Sequence, residues 1–161
     1  MINSNESKNL IGQVEKISFP GLETSSLYAR IDTGAKTSSI FASKAYIDND
    51  MLCVVFFGKN SDNYSGKIYT FSDFGSTVVA SSNGMLQQRY KVKLRVILDN
   101  RVINATFTLA DRSSQVYPVL VGRNILRGKF IVDVHKGSPL KSLESFRTKQ
   151  IAEQINKRIE L

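Results

Sequence analysis

The chain has 161 residues, 22 of them basic and 14 acidic, which gives a formal net charge of +8. This length suits one domain with its own core. No apolar run approaches the roughly 20 residues of a membrane-spanning helix, and the first ten residues lack the apolar segment of a signal peptide. We therefore predict a soluble cytoplasmic protein with no membrane contact. The basic residues are scattered and match no nucleic-acid-binding motif, so a nucleic-acid partner is unlikely on composition alone and the charge is interpreted as a solvated surface.

Strands predominate in the predicted secondary structure. The first ten residues, 1–10, are predicted to form a flexible tail. Apolar patterns then predict strands at residues 14–19, 27–31, 52–57, 67–71, 77–80, 86–98, 102–109, 119–121 and 130–134. Asn83-Gly84 and Asp99-Asn100 are turn signals that predict tight hairpins. Many short strands with little helix predict an all-β barrel or sandwich.

The C-terminal segment has a different pattern. Residues 124–126 are predicted to begin a short helix, and a longer helix is predicted from Ser142 onwards. Its apolar residues recur at spacings compatible with one helical face: Leu143, Phe146, Ile151, Ile155 and Ile159. We predict a main domain over residues 11–137 and a helical tail over residues 138–161. The helix packs on its own barrel or against a partner chain, and the first arrangement is favoured.

Two segments indicate chemistry. The strand at residues 27–31 runs directly into Asp32-Thr33-Gly34, which exposes a carboxylate on a tight turn that backbone amides can approach. The second segment, residues 118–126, is an apolar run that closes on Gly122-Arg123-Asn124. Taken alone, the turn is more simply explained by Asp32 capping a structural bend.

Together the two segments resemble the pattern of retropepsins, the retroviral-type aspartic proteases. The chain is similar to a bacterial retropepsin-like group whose members are often labelled ATP-dependent zinc proteases, and the resemblance covers roughly residues 11–135. Its motifs follow in order: Gly12, Glu15 and Pro20; Arg30 to Ser38; Ser82, Gly84, Arg89 and Tyr90; Thr108 to Arg112; Tyr117 to Leu126; and Val132-Asp133. The resemblance implies a closed retropepsin-like barrel, with a further strand that starts within residues 37–45.

The resemblance also implies roles for the turn. Asp32 is the expected catalytic residue, Thr33 and Gly34 complete the active-site turn, and Ala35, Lys36 and Arg123 are expected to contact substrate. The chain contains one Asp-Thr-Gly and no second copy of it. We therefore predict a homodimer in which two Asp32 carboxylates share a proton, activate water and hydrolyse peptide bonds at mildly acidic pH.

One position departs from the retroviral pattern. Lys36 stands where those enzymes usually carry an acid that pairs with the arginine of Gly-Arg-Asn, so Arg123 needs another partner. Four arginines are candidates for binding an acidic ligand, or alternatively for ordinary ion pairs: Arg30, Arg89, Arg112 and Arg123. A flap is expected either at residues 67–77 or at Asn83-Gly84.

No cofactor is predicted. His135 and Cys53 are the only residues of their types, no His-Glu-x-x-His occurs, and residues 122–130 lack the spacing of a phosphate loop. Cys53 is predicted to be a buried packing residue. Two alternatives to the endopeptidase stay open: a non-catalytic retropepsin fold that binds a peptide or an ATP-grasp ligase, and a basic nucleic-acid-binding module.

Overall fold

The computed structural model describes residues 7–80, 84–137 and 141–159. Its strands are β1 (Asn9–Ile11), β2 (Val14–Ser18), β3 (Leu27–Ile31), β4 (Ser38–Asp48), β5 (Met51–Phe56), β6 (Tyr69–Phe71), β7 (Phe74–Ala80), β8 (Leu86–Leu98), β9 (Arg101–Ala110), β10 (Val119–Val121) and β11 (Phe130–Val132). The described helices are α1 (Arg123–Leu126) and α2 (Lys141–Ile159). The predicted all-β architecture, with a short helix after Gly-Arg-Asn and a C-terminal helix, is confirmed.

Six of the described strands close into a barrel. Their order is β8, β9, β4, β10, β3 and β2, and β2 pairs with β8 again. The short strand β10 completes the ring because it pairs parallel with β3 and antiparallel with β4. Beyond a bulge between Ala42 and Lys44, the outer half of β4 pairs with β5, which in turn pairs with β6. The barrel thereby brings β3, β4 and β10 side by side.

The β8–β9 hairpin follows the sequence pattern closely. Val92, Leu94, Val96 and Leu98 on β8 are buried, whereas the alternating residues Lys91, Lys93 and Arg95 are exposed. Because side chains of a strand alternate between its faces, this pattern places one face in the core. Asp99 and Asn100 have φ values of 46° and 62°, as the predicted tight turn requires. A similar turn at Asn49 and Asp50, which the sequence analysis did not predict, joins β4 to β5.

Aromatic residues fill much of the barrel interior. Phe19 and Phe107 are almost fully buried and meet edge to face, with ring centroids 5.6 Å apart. Burial of each such side chain contributes about 2–3 kcal/mol to folding. Cys53 is also buried, as predicted. The interior therefore has the apolar packing of an ordinary β-barrel core.

The N-terminal segment differs from its prediction. Asn9 and Leu10, assigned to a flexible tail, belong to β1, which pairs parallel with β11. Ile11 at the end of β1 is 1% exposed, so its burial anchors a strand too short to show a periodic pattern. The remaining predicted tail residues 1–6, and Asn83 at the predicted hairpin tip, lie outside the described residues. The strands that flank that tip, β7 and β8, do form an antiparallel pair.

The helix α2 contacts the barrel mainly through polar groups near its N-terminal end. Glu144 accepts a hydrogen bond from the hydroxyl of Tyr117, with the two oxygens 2.8 Å apart. Phe146, Ile155 and Ile159 from the predicted apolar face are exposed. None of the described helices combines the length and apolar character needed to cross a membrane.

Candidate active site

The Asp32 turn follows directly from the end of β3. Asp32 Oδ1 accepts hydrogen bonds from the backbone amides of Gly34 at 2.9 Å and Ala35 at 3.1 Å. Its other oxygen, Oδ2, makes no hydrogen bond to a described residue. Asp32 is half-buried, whereas Thr33 and Gly34 are exposed. The two amides stabilise the ionised carboxylate and fix its orientation, which leaves Oδ2 directed away from them for a further partner.

Backbone hydrogen bonds brace this turn against the Gly-Arg-Asn segment. The amide of Asp32 donates to the carbonyl of Val121 at 2.9 Å, and the amide of Arg123 donates to the carbonyl of Ala35 at 2.8 Å. Gly122 is required between them, because a Cβ there would lie 2.8 Å from the backbone carbon of Thr37. The two segments that the sequence analysis singled out are thus parts of one structure.

A buried polar network lies beneath the turn. The Ser38 hydroxyl donates to Asn124 Oδ1 at 2.8 Å and accepts the amide hydrogen of Gly122 at 2.9 Å. Asn124 Oδ1 also accepts a hydrogen bond from the backbone amide of Ser38. The Nδ2 of Asn124 donates to the carbonyl of Thr106. The hydroxyl of Ser38 and the amide of Gly122 are buried and are paired with each other, whereas Asn124 lies at the exposed edge of the network. The network ties β4, β9 and α1 together behind Asp32.

Sequence reasoning assigned no role to Ser38 or to the side chain of Asn124, although both fell within motifs of the resemblance. Their pairing spans 86 residues of chain.

Arg112 is held close to Asp32. Its Nη1 donates to the hydroxyl of Ser39 at 3.1 Å, and its Nε donates to the carbonyl of Tyr117 at 3.0 Å. Burial lowers the pKa of the guanidinium to about 10; the positive charge of Arg89 acts in the same direction, and the carboxylate of Asp32 opposes it. These influences show that Arg89, Arg112 and Asp32 share one neighbourhood.

Arg30 lies near Tyr117. It is an exposed residue of β3, which ends at Ile31, one residue before Asp32. Its charge influences Tyr117, whose pKa is raised to about 12 chiefly by burial and also by the hydrogen bond to Glu144. Of the four arginines of the sequence analysis, Arg112 and Arg89 are therefore near Asp32, and Arg30 is near Tyr117.

Arg123 belongs to a separate cationic region. Lys36, Arg123 and Arg127 line a cavity of about 820 Å³ together with Thr33 of the turn and apolar residues that include Leu126 and Phe130. No carboxylate among the described residues pairs with Arg123. Lys36 and Arg123 thus line the same cavity at this side of the turn.

Both predicted flap segments adjoin the β7–β8 pair, because Thr77 of the first segment pairs with Arg89 and the second segment follows β7 in the sequence. Arg89 on β8 reaches the electrostatic neighbourhood of Arg112. Apolar residues at the outer end of the hairpin are exposed, namely Val78, Met85 and Leu86. Residues 67–77 contain β6 and the start of β7. Among the described residues, no group of three His, Cys, Asp or Glu side chains could hold a metal ion.

Comparisons with known proteins agree with this architecture. A family model described as "RimB-like: Retropepsin-like aspartic endopeptidase RimB" matches residues 10–138. A probable alpha-L-glutamate ligase of Shewanella halifaxensis is 30% identical over 132 residues, which cover 80% of this chain and 29% of that protein. A protein of the same description from Desulfotalea psychrophila is 27% identical over 139 residues, 78% of this chain and 28% of that one. The chain thus spans less than a third of the curated relatives it matches.

A solved structure is also similar. A Legionella pneumophila protein of unknown function (DUF785) superposes with a TM-score of 0.55 and is 26% identical, covering 80% of this chain and 95% of that one. The match extends over nearly all of the Legionella protein, so the two share the barrel as a unit.

Proposed function

Because the chain belongs to the RimB-like family of retropepsin-like aspartic endopeptidases, we propose that it hydrolyses peptide bonds with Asp32 as its catalytic residue. The observation that carries the proposal is the Asp32 turn. One carboxylate oxygen is held by two amides and the other is left for water or a second carboxylate. Two such groups that share one proton can activate a water between them, with one acting as base while the other donates to the peptide oxygen.

The second carboxylate comes from a second copy of the chain. A single Asp-Thr-Gly supplies half of such a site, and Thr33 and Gly34 are exposed where a partner turn would meet them. A two-fold axis beside Thr33 brings the two Asp32 groups together. Thr33 and Gly34 then position the dyad, while Ala35, Lys36 and Arg123 border the bound peptide.

The arginines favour an acidic peptide. Arg89 and Arg112 lie in the neighbourhood of Asp32, and Arg112 is oriented by Ser39 and the Tyr117 carbonyl. A guanidinium held in this way binds carboxylates well. The names of the curated relatives place glutamate in the chemistry of those proteins, which suggests glutamate-rich peptides as the first substrates to test.

The experiment is cleavage of a diverse peptide mixture, read by mass spectrometry at mildly acidic pH. We expect the native chain to cleave preferentially beside acidic residues and Asp32→Asn to be inactive. The matched control is Asp50→Asn, an isosteric change at an exposed turn whose positive φ of 60° asparagine tolerates. Equal cleavage by native chain and Asp32→Asn would rule out Asp32 as the catalyst.

Mixing the native chain with Asp32→Asn tests the shared dyad. The two chains are mixed in equal amounts and allowed to exchange subunits, and the activity is compared with that of native chain at the same total concentration. A dyad built across the dimer leaves about a quarter of that activity, because only native–native pairs are complete. Independent active chains would leave about half.

Arg112→Gln should raise KM for a glutamate-rich peptide by about tenfold or more, since it removes a charge-assisted hydrogen bond.

A second candidate is a non-catalytic module that binds a peptide or an ATP-grasp ligase. The observation that favours it is the occurrence of a similar region within proteins named as glutamate ligases. In that case no peptide is cleaved, and Asp32→Asn retains the binding of peptide or ligase. Binding by Asp32→Asn alone does not separate the two functions, since an inactivated peptidase also binds its substrate; cleavage of a bound peptide by the native chain does.

A further inference from the structure

The barrel wall has a gap along β8. β7 pairs with β8 from Leu86 to Val92, and β2 pairs with it again at Ile97 and Leu98. Residues 93–96 between them have β9 on one side and no strand partner among the described residues on the other. Of these four residues, Leu94 and Val96 are buried and pair with Ala105 and Ile103 of β9, whereas the alternate residues Lys93 and Arg95 direct their backbone groups to the open side.

A second free edge faces the same gap. β6 pairs with β5 along one edge, and its other edge has no strand partner in the described part of the chain. β6 and residues 93–95 of β8 line one cavity of about 450 Å³, which Phe19 and Leu22 border at one side. We call this cavity the β6–β8 groove. Free strand edges that face a groove are the arrangement in which another extended chain can pair as an added strand.

The side chains of the groove alternate in character. Lys93 and Arg95 are exposed on the outer face of β8, whereas Leu94 between them is buried toward the interior. Lys93 lies 3.4 Å from Asp73, but no ion pair or hydrogen bond joins Arg95 to another described residue. Lys67 adds a third cation beside β6 and pairs with Glu23. The outer face thus has positive charge in excess.

We propose that the β6–β8 groove binds an extended peptide segment with alternating acidic and apolar side chains, added as a strand along β8. Backbone hydrogen bonds to Lys93 and Arg95 hold the segment. Its acidic side chains lie beside Lys93 and Arg95, and its apolar side chains point inward toward Leu94 and Phe19. This site uses none of the residues of the Asp32 turn, so it is a peptide site additional to the proposed catalytic one.

The test uses the full chain with Asp32→Asn, so that the probe peptide is not cleaved. The probe is the blocked hexapeptide Glu-Val-Glu-Val-Glu-Val, titrated while backbone amide NMR signals are followed. We expect shifts at residues 69–71 and 93–96. Arg95→Glu should weaken the binding at least tenfold. Lys91→Glu is the matched control, because it reverses the same charge on the same strand at a position already paired with β7; it should leave the affinity within about twofold.

Peptide methylation tests the strand geometry. Methylation of the backbone nitrogens of one alternating set should abolish binding, because it removes the hydrogen bonds to β8, while methylation of the other set should not. Three results would overturn the proposal: no binding at millimolar peptide, shifts confined to the Asp32 neighbourhood, or equal effects of Arg95→Glu and Lys91→Glu. Cleavage by the native chain is measured in a separate assay. Failure of the β6–β8 groove proposal can therefore be distinguished from failure of the proposed Asp32 catalysis.

Discussion

Replacement of Ser38 by alanine tests the buried network behind the Asp32 turn. The Ser38 side chain is fully buried, and its hydroxyl joins Asn124 to the amide of Gly122. Its removal leaves the Gly122 amide without a partner, which costs about 1–3 kcal/mol, and deletes a hydroxyl bond worth about 1 kcal/mol. Asn124 Oδ1 keeps the Ser38 amide at 2.9 Å, so no further group is left unpaired. We expect the free energy of unfolding to fall by about 3 kcal/mol.

The measurement is equilibrium unfolding in urea at a fixed protein concentration, because dimerisation would make the midpoint depend on concentration. A loss of this size corresponds to a fall in Tm of roughly 6–12 °C. The control is Ser76→Ala, at an exposed position of β7, which should change the free energy by less than about 0.5 kcal/mol. A loss below about 1 kcal/mol for Ser38→Ala, with an unchanged urea dependence, would refute the role given to the network.

Two further predictions concern Gly122 and Tyr117. Gly122→Ala places a Cβ 2.8 Å from the backbone of Thr37, so urea unfolding should show a loss of about 1–3 kcal/mol, whereas Gly21→Ala, with open space around it, should not. Burial and the hydrogen bond to Glu144 raise the pKa of Tyr117 from 10.0 to about 12. Between these pH values the folded chain keeps a proton that the unfolded chain loses. The free energy of unfolding should therefore fall as the pH rises from about 10 to about 12. Tyrosinate absorbance should show this late ionisation in the native chain, its absence in Tyr117→Phe and an earlier ionisation in Glu144→Gln. Tyr117→Phe with the same late ionisation would contradict the assignment.

Strands with one buried face could be predicted from the sequence because burial imposes a period of two. β8 shows this most clearly, since its predicted span of residues 86–98 is the observed one. The strand before Asp32 and the strand before Gly122 were also predicted at their observed positions. The candidate acid and the Gly-Arg-Asn segment could be identified because each carries unusual local chemistry at a strand end.

Other features leave no local pattern. β1 is three residues long, and its stability comes from pairing with β11 and from burial of Ile11, neither of which alternation can reveal. The turn at Asn49 and Asp50 has positive φ without glycine, so it lacked the strongest turn signal. The contact of Arg112 with Ser39 joins residues 73 positions apart, which only the closed barrel brings together.

The position of β10 in the barrel has a consequence for synthesis of the protein. The Asp32 amide is bound by Val121, and Ser38 is bound by Asn124, 86 residues later in the chain. A ribosome releases the Asp-Thr-Gly segment long before these partners exist, and closing so long a loop is slow. The turn that carries the carboxylate is therefore braced against the barrel only once β10 has been made. A growing or truncated chain that ends before β10 carries the acid without the brace that organises its turn.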